Sequence, residues 1–261
     1  MHNDVILEIN DLTKAYESGH RALNGLSLSV RKGTLFGFLG VNGAGKTTTI
    51  RILAGLNSKD SGRVKLFGNE VSEHDYGYKR RVGFVLDEPL YFEWMSAGDY
   101  LLFVGTMHGL SRDEIKHRTD ELLDFFDLHA KGDDPIDSFS TGMKKKISLA
   151  AAIIHKPDLI ILDEPLEGID ALAASSIKET LTLMAERGTT IFITSHVLDT
   201  VEKLCDEIAI IHEGRMLLQC KTTEIRNKAK GELGNSMYAS LEELFVDLVS
   251  DKVKKKRLSW L

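Results

Sequence analysis

The sequence predicts an α/β protein built on a parallel core sheet, with a small antiparallel sheet formed by its N-terminal strands. Three observations predict it. Short all-apolar runs, Leu159 to Leu162 above all, lack the alternation of a half-exposed strand and suit a sheet covered on both faces. Helical patterns separate these runs, as parallel strands require. The early segments instead alternate apolar and polar residues, the mark of half-buried strands.

The elements follow in order. Val5 to Ile9 reads as a strand; Asp11 to Tyr16 follows it and Gly19 makes a turn. Leu26 to Val30 alternates as a half-buried strand, and Arg31-Lys32-Gly33 turns the chain into a buried strand, Thr34 to Leu39. After a glycine-rich stretch, a helix runs through Thr49-Ile50-Arg51-Ile52-Leu53-Ala54 and ends near Gly55. Asp60-Ser61-Gly62 reads as a turn, and Arg63 to Phe67 as an alternating strand closed by Gly68-Asn69. Val82 to Leu86 is a buried strand ending at Asp87. Helical patterns then dominate from about Met95 to Leu128, where Ser111 and Glu114 have the spacing of a capping box and Ile115, Leu122, Leu123 and Phe126 form an apolar stripe for the core. A polar loop from Lys131 to Ser138 precedes Phe139 to Met143, and Lys144 to His155 reads as a helix stopped by Pro157. A helix from about Leu172 to Glu186 leads to a buried strand, Thr189 to Thr194, with Ser195-His196 at its end. A short helix through Cys205, a strand from Glu207 to Ile211, a hairpin turn at Glu213-Gly214-Arg215, and an amphipathic helix from Leu241 to Val249 capped by Ser240 complete the pattern. The tail Lys252 to Arg257 is basic.

Bulk properties narrow the function. A hydrophobic fraction of 43% and a charged fraction of 28% are ordinary for a globular chain of 261 residues. The net charge of −6 provides no basic field, so nucleic acid is not expected as a partner. The start Met1-His2-Asn3-Asp4 is no basic leader, and the longest apolar candidate, Leu149 to Leu162, is broken by His155-Lys156-Pro157-Asp158, so the chain is not expected to cross a membrane. Cys205 and Cys220 lack metal-like spacing and read as free thiols in a reducing cytosol.

The chemistry concentrates on Gly40-Val41-Asn42-Gly43-Ala44-Gly45-Lys46-Thr47-Thr48, which fits G-x-x-x-x-G-K-[ST] between a predicted strand and a predicted helix. A match in a chain this long arises by chance about once in a hundred sequences. Glycines let the backbone wrap phosphates with its N–H groups inward, and the helix N-terminus adds partial positive charge. Lys46 reaches β- and γ-phosphates, and the Thr47 hydroxyl suits Mg²⁺. This loop, Asp87, Asp163-Glu164 and His196 each follow an apolar strand, so all four fall at the carboxyl edge of the sheet, where ligands lie in such folds. ATP hydrolysis needs a metal site, a base and a γ-phosphate contact beyond the cradle. Asp163 suits the metal, Glu164 the general base, and His196 a γ-phosphate sensor.

On these residues the sequence resembles the ATP-binding-cassette (ABC) ATPases, from about Val5 to Leu218 and more weakly in the helix from Ser240. The resemblance implies a P-loop NTPase cassette with a parallel core sheet, an N-terminal antiparallel β subdomain and a helical signature subdomain over about 88–155, all within an ATPase domain at 5–220, followed by an extension at 221–261. It implies ATP and Mg²⁺ as cofactors. Tyr16 matches the aromatic that stacks on adenine, Gly40 to Thr48 the Walker A loop, Leu159 to Glu164 Walker B, Gly168-Ile169-Asp170 the D-loop and His196 the switch histidine. Asp87 stands where the family usually has a glutamine and is implied to meet the metal with Thr47 and Asp163. Phe139-Ser140-Thr141-Gly142-Met143 stands at the signature, where Ser140 and Gly142 are implied to contact the ATP of a second cassette paired head to tail.

The signature, with the segment Glu88-Pro89-Leu90-Tyr91, resembles exporter-type cassettes. That implies a separate transmembrane permease docked on the region from about Glu88 to Ser138, and a peripheral location at the cytoplasmic face of the membrane. The alternative is a soluble ABC-type ATPase acting on ribosomes or DNA. Such relatives usually carry two fused cassettes or a long coiled-coil insertion, and this chain has one cassette, no heptad run and an acidic balance.

Overall fold

The computed structural model describes residues 4–72, 76–87, 91–225 and 240–250. In chain order the elements are β1 (Val5–Ala15), β2 (Arg21–Arg31), β3 (Leu35–Leu39), α1 (Lys46–Leu53), β4 (Ser61–Leu66), β5 (Asn69–Glu70) and β6 (Val82–Val85). There follow α2 (Ala97–Met107), α3 (Arg112–Phe125), α4 (Thr141–Ile153), β7 (Leu159–Leu162), α5 (Ala171–Glu186), β8 (Thr190–Ser195), α6 (Leu198–Leu204), β9 (Glu207–His212), β10 (Arg215–Lys221) and α7 (Leu241–Ser250). Residues 88–90 and the basic tail, both singled out in the sequence, lie outside the described residues.

Two sheets form, as the two strand patterns predict. The N-terminal sheet has the order β2-β1-β4-β5 and is antiparallel throughout. The core sheet has the order β10-β9-β3-β8-β7-β6; its strands from β9 to β6 are parallel, and β10 alone runs antiparallel at the edge, paired with β9 through the Glu213-Gly214 turn.

Burial on both faces explains the all-apolar strands. Phe36, Phe38, Leu159, Ile161 and Phe192 face a core shared with β1, β2, β4 and α1. Their neighbours Leu35, Leu39, Ile160, Leu162, Ile191 and Ile193 face a second core with α4 and α5. Successive side chains of a strand point to opposite faces, so each strand serves both cores. Phe192 stacks on Phe36 at 5.5 Å between centroids and lies 5.4 Å from Phe38. At Gly83 the α4 helix comes so close to β6 that an added Cβ would overlap the Ala152 carbonyl.

The helical region is organised by caps. Ser111 and Glu114 make the reciprocal capping box that the sequence predicts at the start of α3. The stripe on α3 packs inward: Ile115, Leu123 and Phe126 are buried and Leu122 is partly buried against the same core. α7 returns to the body, with Leu241 and Leu244 buried in the second core and the Leu241 N–H donating to Glu202 at 3.1 Å.

Three expectations are corrected. β1 and β2 are each 11 residues long, because ladder pairing carries both strands beyond their apolar stretches and across the irregularity at Asp11, where φ is 50°. Asp60-Ser61-Gly62 is no free turn: β4 begins at Ser61, paired with Thr13, and Gly62 (φ 92°) lies against the Asp11 backbone. The helix expected from Lys144 starts at Thr141, because Ser140 caps it, its hydroxyl accepting from the Met143 N–H at 3.3 Å.

Candidate functional site

Strand register brings the chemistry together. Leu39 pairs with Ser195 and Ile210, Leu162 with Ile193 and Val85. The segments that leave β3, β6, β7 and β8 therefore emerge on one edge of the sheet. They carry Gly40 to Gly45, Asp87, Asp163-Glu164 and His196 respectively. A cavity of about 440 Å³ opens there, lined among others by Tyr16, Gly43, Lys46, Thr47, Asp87 and Glu164, with Val41, Asn42, Gly45 and Thr48 also at its wall. A larger groove of about 950 Å³ runs between α3, α5 and the α4–β7 connection and holds none of the candidate site residues named from the sequence. The smaller cavity is the candidate site, because titratable groups and a helix N-terminus converge on it.

The loop turns into α1 through Gly45, whose φ of 114° is open to glycine and strained for other residues. Gly45 caps α1 without a side-chain hydrogen bond. The orphan N–H groups of a first turn attract anions. Gly40, at the mouth of β3, accepts a 2.7 Å hydrogen bond from Lys46 Nζ on its carbonyl. The Lys46 side chain is only 6% exposed, and its ammonium also lies 3.2 Å from Glu164 Oε1.

Glu164 is held from several sides. Its N–H donates to Thr194 Oγ1 at 2.9 Å, its carbonyl accepts from Lys145 Nζ at 2.7 Å, and its Oε2 lies 3.1 Å from His196 Nδ1. Its backbone is left-handed, with φ of 46°. A non-glycine residue in that region carries about 1–2 kcal/mol of strain. Asp163 beside it accepts from the Thr194 hydroxyl at 2.6 Å. Burial raises the Asp163 carboxyl above the usual carboxylate range; hydrogen bonds from Thr194 and Thr47 oppose this, and the Asp87 and Glu164 charges add to it.

Tyr16 is 38% exposed, and its hydroxyl is tied to Thr48 Oγ1 at 3.2 Å and accepts from Asn57 Nδ2 at 3.0 Å. Ser140 and Gly142 are not among the residues lining this cavity. They sit at the start of α4 next to Asp170, whose carboxylate is near Gly142 and caps α5 by accepting from the Leu172 and Ala173 N–H groups at 2.9 Å each. Those backbone bonds, Ala173 first, hold the Asp170 carboxyl below its ordinary range.

Two oxygen-rich sets could hold a metal. Thr47, Asp87 and Asp163 line one adjoining pocket with purely oxygen donors. Glu164, Glu167 and His196 bring donor atoms within 4.8 Å of one another. Mg²⁺ takes hard oxygen ligands and leaves imidazole aside. In the second set, Glu164 is already engaged by Lys46 and His196. The Thr47, Asp87 and Asp163 set is the one that fits Mg²⁺.

Sequence reading missed Thr194, Lys145 and Glu167. Thr194 sits two residues before His196 on a buried strand, a polar residue among apolar ones, which is a usable signal. Lys145 belongs to the run Lys144-Lys145-Lys146, which looks like a solvated face. In the fold each ammonium has its own acceptor: Glu93 at 3.0 Å, the Glu164 carbonyl at 2.7 Å and the Phe126 carbonyl at 2.9 Å.

Comparison with known proteins agrees with this geometry. A family model described as "ABC transporter" matches residues 23–167. The linearmycin resistance ATP-binding protein LnrL of Bacillus subtilis (strain 168) is 38% identical over 228 residues, 87% of this chain and 73% of the relative. The bacitracin transport ATP-binding protein BcrA of Bacillus licheniformis is 38% identical over 213 residues, 81% of this chain and 68% of the relative. A solved structure titled as an ATP binding subunit of an ABC transporter superposes with a TM-score of 0.84 at 30% identity, covering 94% of this chain and 99% of that one.

Proposed function

The chain belongs to the ABC transporter family as an ATP-binding, ATP-hydrolysing subunit, and on that premise we propose how its own residues perform the reaction and what they serve. One observation carries the reading: a single carboxylate, Glu164, bridges Lys46 and His196 at the mouth of the phosphate loop. Loop N–H groups from Gly40 to Thr48 cradle the phosphates. Lys46 turns its ammonium to the β- and γ-phosphates, and Tyr16 stacks on the base. Glu164 accepts the proton of the attacking water. His196 holds Glu164 in place and lies within reach of the γ-phosphate. Mg²⁺ would be held by Thr47, Asp87 and Asp163, and when bound it neutralises phosphate charge.

The domain division follows from the same reading: ATPase domain at 5–220, helical subdomain at about 88–155, extension at 221–261. Ser140 and Gly142 serve the ATP of a second cassette, with Asp170 at the same interface. Their absence from the lining of the chain's own cavity is consistent with this reading. A membrane permease is the other partner. Exposed Trp94 (75%) and Met107 (72%) on the helical region offer the apolar contact it would use. No helix among the described residues is long and apolar enough to cross a membrane. In this reading the subunit attaches peripherally through the permease, at the cytoplasmic face. The named relatives serve linearmycin resistance and bacitracin transport, which favours export for this chain over a role on ribosomes or DNA.

Glu164→Gln tests the reading by size exclusion with and without Mg²⁺-ATP. A dimer that forms only with nucleotide, with turnover reduced by about 10²–10⁴-fold, is the expected result. Unchanged hydrolysis, or no ATP binding in the parent chain, overturns it.

A further inference from the structure

The left-handed backbone of Glu164 needs a hold on both sides. Thr194 supplies one through the N–H, and the ammonium of Lys145 supplies the other through the carbonyl, reaching across 19 positions from the first turns of α4. The same carbonyl takes a longer 3.2 Å bond from the Glu167 N–H, so the lysine makes the shorter contact.

Lys145 is also half-buried among carboxylates. Asp87 is the foremost of those acting on it, followed by Glu167, Glu164 and Asp163, while burial outweighs them and lowers its affinity for a proton. A site that receives a polyphosphate needs those negative charges offset, and a compact ammonium in a partly desolvated setting does so far better than one in water.

We infer that Lys145 is a positioning residue of the hydrolytic site, fixing the Glu164 backbone through its carbonyl. The inference rests on the function proposed above. It gives the middle lysine of the run a defined task.

The test compares Lys145→Met with Lys145→Arg on the full chain, reading kcat at saturating Mg²⁺-ATP, the dissociation constant of a fluorescent ATP analogue and the melting temperature. Lys145→Met removes the donor and should lower kcat at least about tenfold, with nucleotide affinity and the melting temperature close to the parent's. Lys145→Arg keeps a donor and should restore most of the turnover. If Lys145→Met fails to fold, Lys145→Ala, which also lacks the donor, takes its place against Lys145→Arg. A kcat indifferent to the donor, or a loss confined to nucleotide affinity, overturns the inference. A parent chain that binds no nucleotide would overturn the proposed function itself, whereas a parent that binds and hydrolyses ATP with a kcat unmoved by loss of the donor overturns only this inference.

Discussion

Thr194→Val removes one buried hydroxyl and keeps the shape of the side chain. In the structure that hydroxyl donates to Asp163 at 2.6 Å and accepts from the Glu164 N–H at 2.9 Å, with Thr194 fully buried. The substitution leaves the Glu164 N–H unpaired, at about 1–3 kcal/mol, and removes a charge-assisted bond of about 1.5–3 kcal/mol. The three groups form one network, so the costs overlap, and a total of about 2–4 kcal/mol is expected. That is a large share of a stability of about 5–15 kcal/mol. For a chain this long it should lower Tm by roughly 5–15 °C. Thr194→Ser retains the hydroxyl and deletes one methyl, about 1 kcal/mol. Urea unfolding at neutral pH, with ATPase turnover on the same samples, measures both effects. Turnover of Thr194→Val should fall at least tenfold, equivalent to about 1.4 kcal/mol of lost orientation at Glu164. The reasoning is refuted if Thr194→Val unfolds within about 0.5 kcal/mol of the parent, or if Thr194→Ser is destabilised as much as Thr194→Val, since the hydroxyl would then not be the cause.

Gly83→Ala should destabilise by about 1–3 kcal/mol or more, because its Cβ meets the Ala152 carbonyl of a helix that cannot yield without shifting α4; an unchanged unfolding midpoint would show that α4 is not packed so closely on β6. His155 stacks on His108 at 3.6 Å between centroids, and burial first, then His108 and Arg118, push it down to about 4. The folded state therefore takes up this proton later than the unfolded chain, so the stability it contributes is full above about pH 6.5 and is lost as pH falls from there to about 4. A dry site would lose about 3 kcal/mol; partial exposure reduces this to roughly 1–2 kcal/mol. His155→Phe should flatten that part of the acid-stability profile, and a profile identical to the parent's would assign the loss to other groups.

The fold and the grouping of the candidate site residues were legible in the sequence for one reason. A strand covered on both faces must be apolar throughout, so the first polar residue after it marks the sheet edge, and in a parallel sheet those edges coincide. Asp163, His196 and Asp87 could be placed together from that rule, and register does bring their strands level. The boundaries that went wrong share another cause. Ser140 begins α4 through its own side chain, and Gly62 joins a strand because Asp11 bulges toward it. Both are decided by contacts that hydrophobic periodicity does not record.

The groups that hold Glu164 escaped for a related reason. A candidate catalytic carboxylate is recognisable by its position after a strand, but the orientation of Glu164 comes from partners that are remote in sequence: Thr194 at a separation of 30, Lys145 at 19, His196 at 32. Nothing in the local pattern around Lys145 distinguishes it from Lys144, which pairs with an exposed glutamate, or from Lys146, which ties down the end of α3. Only the docking of α4 against β6 and β7 aims one of the three ammonium groups at the strained carbonyl of residue 164. The strain and its hold belong together. A left-handed glutamate without partners on both faces of its peptide would relax toward ordinary backbone angles and swing its carboxylate off the line between Lys46 and His196. The network behind the proposed base is thus as much a part of the candidate site as the residue itself, and it is the part to which substitutions in α4 and β8 would speak most directly.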